Sequence, residues 1–428
     1  MSGPSTVKTD AESTPERPLS LDEYERYGRQ MIMPGWGLPG QLRLKQARVA
    51  VVGAGGLGCP VLQYLAGTGV GTIEIFDHDL VSKSNLHRQI LHTTERIGMS
   101  KAVSASLAMQ SLNPNVRVIP REEAIQPSTA LARLRDSDII IDCTDRPMTR
   151  YLLNDAAVRL GKPLVSGAAI SSAGQWAVYG GSAKGQKRAC YRCLWPALLP
   201  GAAGRCEDVG VWGVVTGMVG TGMASEVIKL LLGNEDPNPL LHIFHLGGVP
   251  LVRTIKMKPP SPKCKACGPD ATITDDLAEA DYDEFCEAVL VDELTGEVVG
   301  APGERVGAKD FASLIGKGDV IVVDTRPEIE YGIASIPHTL NIPLDRILSN
   351  PLEVPTRQEV IFLCRQGNDS QLAASALRAA LTPDTPVSTG EALADGAGAP
   401  AAAVPRVRDV RGGLRAWARD VDPSFPLY

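Results

Sequence analysis

The sequence predicts an α/β protein of two units: a larger one built on a largely parallel sheet, then a smaller α/β unit. Three observations carry this. Short apolar runs suited to buried strands recur at 48-RVAVV-52, 72-TIEIFDHD-79, 116-VRVIP-120, 138-DIIIDCTD-145 and 163-PLVSGA-168, with helical patterns between them. Composition then shifts around 258-KPPSPKCKACGPDATITDD-276, which is rich in Pro and Asp and has no periodicity. After it, 320-VIVVDTR-326 and 360-VIFLC-364 again read as buried strands with helix patterns between and after them. A chain of 428 residues is long enough for two or three separate cores.

In chain order, residues 1–20 mix Ser, Thr, Pro and both charge signs and read as a disordered tail. Residues 21–270 form the larger domain. It starts with a helical pattern, then a strand, a glycine turn and the helix 59-CPVLQYLAGTGV-70, a β-α-β unit. Residues 271–305 are a linker and 306–428 the smaller domain, in which the low-complexity stretch 383–405 is a flexible insertion.

A net charge of −6 argues against a nucleic-acid scaffold. The most membrane-like run, 213-GVVTGMVGTGMASEVIKLLL-232, contains Glu226 and Lys229 and is rich in glycine, so it reads as a core helix. No secretory signal is visible, and nine cysteines is an odd count. Metal binding or thiol chemistry in a reducing, cytoplasmic compartment fits better than a disulfide framework.

The turn Gly53-Ala54-Gly55-Gly56-Leu57-Gly58 closes a strand and opens a helix. Glycines there let the backbone approach a phosphate, and the helix start offers unpaired N–H groups. Asp77, at the end of the next strand, is placed to accept from ribose hydroxyls. Up to this point a dinucleotide dehydrogenase is a live reading. The run 84-SNLHRQI-90 then supplies Asn85, Arg88 and Gln89, and Lys101 follows thirteen residues after Arg88. A nicotinamide has little need of two more cations, whereas a triphosphate uses them to offset its charge and stabilise leaving pyrophosphate. Asp145, ending its strand, is placed to hold Mg²⁺.

This ordered set resembles the ubiquitin-activating-like adenylyltransferases, which include MoeB and ThiF. The matching pieces are 26-RYGRQ-30, GAGGLG, FDHD, SNLHRQ, Lys101 and CTD, within a Rossmann-like adenylation domain. The resemblance implies that ATP adenylylates the C-terminal glycine of a ubiquitin-fold protein. It implies ATP contacts from Gly56, Asp77, Ser84, Asn85, Leu86, His87, Arg88, Lys101 and Asp145. It also implies a homodimer in which Arg29 completes the partner's site. One departure is visible: the family has Asn after the CTD aspartate, where this chain has Arg146, counted here with the nucleotide contacts.

Two Cys-x-x-Cys pairs, Cys190/Cys193 and Cys264/Cys267, supply four thiolates for a closed structural zinc site. A lone pair could be a redox dithiol. Two pairs flanking one domain favour a Zn²⁺ clip, and the family often carries one. Cys206, in 204-GRCEDVGVWGVVTG-217, has glycine and polar neighbours suited to an exposed, stabilised thiolate. In the sulfur-transferring branch a cysteine here implies a conjugating or resolving thiol. Cys59, Cys143 and Cys286 are assigned no role.

Cys364 follows the strand VIFLC and precedes helix 370-SQLAASALRAAL-381. Such a loop makes an anion cradle of backbone N–H groups, which is expected to lower the thiol pKa and to stabilise a persulfide. A phosphatase would need an arginine six residues after the cysteine, and that position is Ser370. The segment resembles a rhodanese: 320-VIVVDTRPEIEYGIASIPHTLNIPLDRI-347, CRQGNDSQ and a closing RGGLRAWARDVDPSFPLY match, with the usual gly-his-ile piece altered to 332-GIASIPH-338. Asp369 puts a negative charge in the loop, which favours a protein-bound persulfide over thiosulfate as donor.

Adenylation domain, zinc clip and rhodanese in this order resemble the sulfurylases of molybdopterin synthase and the activating enzymes of the ubiquitin-related modifier. The resemblance implies thiocarboxylate formation on a ubiquitin-like sulfur carrier, with catalytic Cys206 and Cys364 and a cysteine desulfurase or other persulfide donor. It implies service to tRNA wobble-uridine 2-thiolation, molybdenum cofactor synthesis and protein conjugation, without direct nucleic-acid or membrane contact. The alternative is a non-catalytic scaffold that binds a ubiquitin-fold partner.

Overall fold

Burial alternates along the first strand in a way that sets the architecture of the larger unit. In β1 (Arg48–Val52), Val49 and Val51 join one apolar cluster while Ala50 and Val52 join another. The strand is therefore covered on both faces. The computed structural model describes residues 17–196, 210–234, 239–280, 282, 305–356, 359–381 and 405–428. Cys206, Cys286, most of the 1–20 tail and nearly all of the 383–405 insertion lie outside them. Two compact units divide between Glu287 and Ala288.

The larger unit opens with α1 (Leu21–Met31) and α2 (Gly37–Gln46). There follow β1, α3 (Gly58–Thr68), β2 (Thr72–Phe76), α4 (Lys101–Leu112), β3 (Arg117–Arg121), α5 (Ala130–Leu134), β4 (Ile139–Asp142), α6 (Pro147–Leu160) and β5 (Pro163–Ile170). Next come β6 (Ala173–Gly180), the small hairpin β7–β8 (Ser182–Ala183, Gln186–Lys187), α7 (Tyr191–Leu194), α8 (Gly213–Leu231), β9 (Leu240–His245) and β10 (Val252–Lys256). The eight-stranded sheet has the order β10-β9-β6-β5-β4-β1-β2-β3. From β5 to β3 it is parallel, as expected. Its other edge is antiparallel, because β6 returns directly from β5 through a turn at Ser171 with no crossover helix.

Helix α8 is long and apolar enough to cross a bilayer by length and composition. Here Val215, Val219, Met223 and Val227, each four residues from the next, are wholly buried in the core shared with α3.

Two boundaries differ from expectation. Leu19 is buried and Ser20 caps α1 in a reciprocal capping box with Glu23, so the end of the predicted tail is ordered. At the other end, Leu277 and Tyr282 are buried against α6, and Tyr282 Oη donates to Asp155 at 3.1 Å. The start of the predicted linker therefore belongs to the larger unit's core.

The smaller unit is a five-stranded parallel sheet, β11-β15-β14-β12-β13. Its strands are Arg305–Val306, Val320–Asp324, Thr339–Asn341, Glu359–Leu363 and Val407–Val410 for β11 to β15. Phe362, Ala374 and Leu377 fill the core on one side, and Phe311, Leu363 and Leu414 on the other.

Candidate functional site

Register places the nucleotide motifs together. Val52 pairs with Phe76 on one side and Asp142 on the other, so the glycine turn, the Asp77 loop and the Cys143–Arg146 loop leave one edge of the parallel sheet. This is the crevice where α/β sheets bind ligands. Gly53 has φ +98°, and a Cβ at Gly58 would lie 2.1 Å from the Gly53 carbonyl oxygen. Only glycine closes the turn this tightly. A Cβ at Gly56 would press on Thr216 of α8 at 3.1 Å.

Ala54 is held from both sides. Its N–H donates to Asp77 Oδ2 at 2.7 Å, and its carbonyl meets His92 Nε2 at 2.9 Å. His92 Nδ1 meets Ser104 Oγ at 2.9 Å, which ties the turn to α4. Asp77 Oδ1 accepts from the Asp79 N–H at 2.9 Å, so this carboxylate braces the cradle as well as lining it.

Lys101 begins α4, is 5% exposed, and donates from Nζ to Asp79 Oδ2 at 2.8 Å. Burial opposes the Asp79 charge, but the Lys101 ammonium, with smaller help from His78 and Arg146, holds the carboxyl below its usual value. Arg88 Nη1 lies 2.7 Å from His87 Nε2, and burial together with the Arg88 charge lowers the His87 pKa. Ser84 Oγ is 3.0 Å from Ser82 Oγ, and Asn85 ends a short 3-10 turn whose carbonyl accepts from Gln89 N–H. Leu86 caps that turn. Asp145 and Arg146 are exposed at the same edge, Arg146 capping α6.

Two buried polar atoms, Gln89 Oε1 and Ser100 Oγ, have no hydrogen-bond partner among the described residues. Both lie where a nucleotide would sit: Gln89 reaches Gly55, and Ser100 precedes Lys101. Cradle, buried cation and orphaned polar atoms together fit a nucleoside triphosphate.

Arg29 stands apart. Its helix packs at the far ends of α3 and α4, where Gln30 Nε2 donates to the Thr68 carbonyl and Asn113 Nδ2 donates to Tyr27 Oη. The glycine turn and Lys101 lie at the opposite ends of those 11- and 12-residue helices. At about 1.5 Å per residue those helices are roughly 16 Å long, so the α1 segment that carries Arg29 packs a helix length away from the glycine turn.

Sequence reasoning missed the support beneath Asp145. Asp142 is fully buried and accepts from Arg150 Nε (2.9 Å), Ser166 Oγ (2.7 Å) and Thr144 Oγ1 (2.6 Å). Arg150 also donates to the carbonyls of Thr144 and Gly167, which fixes the loop carrying Asp145. An acid among the isoleucines of DIIID was the available signal.

The four predicted metal ligands converge. Sulfur separations are 3.8 Å for Cys190–Cys193, 3.5 Å for Cys190–Cys264 and 3.3 Å for Cys193–Cys267. A tetrahedral site with metal–sulfur bonds of about 2.3 Å has edges of about 3.8 Å, so the set fits a tetrathiolate metal. The Ser261 N–H donates to Cys193 Sγ, and Arg192 grips Asp155 of α6 at 2.8 and 2.7 Å. Cys59 and Cys143 are buried against the glycine turn, where burial raises both pKa values.

In the smaller unit, Cys364 directly follows β14 and is 1% exposed. The Gly367 N–H donates to its Sγ at 3.0 Å. Gly412 and Gly413 take positive φ and close over the loop, and a Cβ at Gly413 would lie 2.2 Å from the Cys364 carbonyl oxygen. The expected lowering of the thiol pKa is overturned. Burial raises it, the Asp369 charge adds to that, and the Ser370 hydroxyl and loop N–H groups offset only part. The cradle is built for an anion, but the resting thiol sits too deep in it to ionise readily.

Fold and sites define a nucleotide-activating protein joined to a unit that carries a reactive sulfur loop. Residues 27–266 match the ThiF family and residues 307–420 the Rhodanese-like domain. The chain belongs to the ThiF family. It is 40% identical to "Adenylyltransferase and sulfurtransferase uba4" of Ogataea parapolymorpha over 421 residues, 96% of this chain and 100% of that protein. It is 38% identical to "Adenylyltransferase and sulfurtransferase MOCS3" of Drosophila yakuba over 422 residues, 96% of this chain and 86% of that protein. A crystal structure of Escherichia coli MccB with MccA-N7isoASN shares the fold, with TM-score 0.50, 23% identity, and coverage of 59% of this chain and 76% of that one.

Proposed function

We propose that the chain is an adenylyltransferase and sulfurtransferase that turns the C-terminal glycine of a ubiquitin-like sulfur carrier into a thiocarboxylate. The observation that carries this is one chain holding both a triphosphate cradle with buried Lys101 and a buried Cys364 inside an N–H loop. The carrier carboxylate attacks the ATP α-phosphorus; pyrophosphate leaves and an acyl-adenylate forms. Glycine-turn N–H groups, Arg88 and Lys101 offset the phosphate charge, and Asp145 would hold the accompanying Mg²⁺. A persulfide on Cys364, loaded by a cysteine desulfurase or a similar protein donor, attacks the acyl carbon, and AMP leaves. Cys206 then attacks Cys364 Sγ in the acyl disulfide, releasing the thiocarboxylate and leaving a Cys206–Cys364 disulfide for an external dithiol to reduce.

The carrier's sulfur then serves tRNA wobble-uridine thiolation or molybdenum cofactor synthesis in the cytoplasm, and the same activation permits conjugation by the ubiquitin-related modifier. The scaffold alternative has no use for an intact cradle with a buried lysine. The direct test supplies ATP and carriers ending in Gly-Gly: pyrophosphate release should require a free carrier terminus, and release that ignores the carrier would sink the proposal.

Zinc is the metal proposed for the four cysteines. Structural thiolate zinc contributes on the order of 10 kcal/mol of binding free energy tied to folding. Stoichiometric zinc should therefore be found by metal analysis, and Cys264→Ser should lower the unfolding midpoint of the larger unit while sparing the smaller one.

A homodimer is proposed because Arg29 lies far from its own cradle beside exposed Ile32 and Met33, while exposed Ile90, Trp212 and Val214 border the site. Arg29→Ala and Lys101→Ala chains should each be inactive alone. Unfolded together and refolded, they should regain roughly one quarter of wild-type adenylylation, since random pairing leaves one complete site in half the dimers. Recovery absent from a demonstrably mixed dimer would contradict trans completion.

A further inference from the structure

The Cys364 thiol is the donor end of a directional hydrogen-bond chain. Cys364 Sγ donates to Ser370 Oγ at 3.4 Å, and Ser370 Oγ donates to Asp409 Oδ2 at 3.3 Å. Asp409 is 2% exposed and is held by Arg305, whose Nε and Nη2 lie 3.0–3.2 Å from its oxygens. Arg305 Nη2 also donates to the Gly367 carbonyl at 2.9 Å, so the same guanidinium fixes the carboxylate and the sulfur loop. Ser370 is completely buried. These three side chains come from the loop-to-helix junction, β15 and β11, and form one chain that reaches the sulfur through Ser370.

We propose that Ser370 and Asp409 form a proton relay that deprotonates Cys364 as it takes up sulfur. Ser370 touches the reacting sulfur and is the catalytic residue; Asp409 acts through it and is a positioning residue. The proposal rests on the sulfurtransferase reading above. In the step, the Cys364 S–H proton passes to Ser370 Oγ as the Ser370 hydroxyl proton passes to Asp409. The new bond joins Cys364 Sγ to the outer sulfur of the donor persulfide, and the donor S–S bond breaks with its electron pair leaving on the donor thiolate. The Asp409 proton returns to that thiolate. The net exchange is thiol plus persulfide giving persulfide plus thiol, with no oxidant or reductant consumed.

Physical need and geometry agree. A thiol this deep gives its proton to water poorly at neutral pH, because burial raises its pKa. Burial also raises the Asp409 pKa, against the lowering effects of Arg305, Ser370 and Arg378, so this carboxylate accepts a proton more readily than a solvated one. The other charges on surrounding segments are Arg365 and Asp369 in the loop and Arg411 and Arg415 on the segment that closes it. Of these, Asp369 opposes thiolate formation.

The test measures the rate of persulfide formation on Cys364 of the full chain, supplied with cysteine persulfide, from neutral to alkaline pH. Ser370→Ala should lower the neutral-pH rate by about 10- to 100-fold, move the midpoint of the profile upward and recover the wild-type rate at high pH. Ser370→Thr, which keeps the hydroxyl, should stay within a few fold of wild type. Asp409→Asn should shift the profile in the same direction, and adding it to Ser370→Ala should cost little more. A Ser370→Ala profile with an unmoved midpoint, or a loss equal at every pH, would overturn the relay. A wild-type chain that takes up no sulfur would instead sink the sulfurtransferase reading, and the relay with it.

Discussion

Lys101→Ala is expected to lower carrier-dependent pyrophosphate release by about 10²- to 10³-fold while leaving sulfur loading on Cys364 unchanged. Lys101 is the first residue of α4, nearly without solvent, with its ammonium on Asp79 and its N–H on the Asp79 carbonyl. A cation placed this way needs no reorganisation when charge moves onto the leaving pyrophosphate. Substitution removes it without burying an unpaired charge, because the Asp79 side chain is 55% exposed and keeps its water. The fold should therefore survive. A Lys101→Arg chain keeps the charge but must fit a larger planar group into a buried slot, so it should recover only part of the activity. The comparison is read by pyrophosphate release with saturating carrier, and a loss below threefold would contradict the assigned role.

Cys364→Ala is expected to abolish the thiocarboxylate and leave adenylylation intact. The adenylation cradle and the sulfur loop lie in different compact units with separate apolar cores, so a change of one buried sulfur should not reach the glycine turn. Removing Sγ deletes the atom that carries the transferred sulfur, and no neighbour replaces it: Ser370 is oxygen and Gly367 offers only a backbone N–H. The local cost is a small cavity, about 1 kcal/mol for a group of this size. Gly367→Ala would be far more disruptive, since its φ is +90° and a Cβ would strike the Gly412 backbone at 2.6 Å.

Local signals made the glycine turn, the SNLHRQ run and both Cys-x-x-Cys pairs legible, because each depends on spacing within a few residues. The antiparallel edge was not legible. Strand β6, AGQWAVYG, carries two glycines and a glutamine, and its pairing is set by the turn at Ser171 rather than by its own pattern. Asp79 was overlooked in favour of Asp77 because nothing in FDHD says which carboxylate faces Lys101; pairing of the loop after β2 with the start of α4 decides that. The Cys364 environment was misjudged for a related reason. Gly412, Gly413 and Leu414, nearly fifty residues later, pack on the backbone of the Cys364 loop, and a loop read alone looks open. Arg305 and Asp409, which brace that loop, lie on either side of it in sequence and meet only through parallel pairing of β11 with β15.

The central claim is that the cradle and the sulfur loop perform consecutive steps on one acyl group. It is tested most directly by mass analysis of the carrier after incubation with ATP, Mg²⁺ and a persulfide donor. Wild type should yield carrier thiocarboxylate, Lys101→Ala only unmodified carrier, and Cys364→Ala the carrier adenylate with no thiocarboxylate. Thiocarboxylate formed by Cys364→Ala, or by Lys101→Ala at the wild-type rate, would contradict the account.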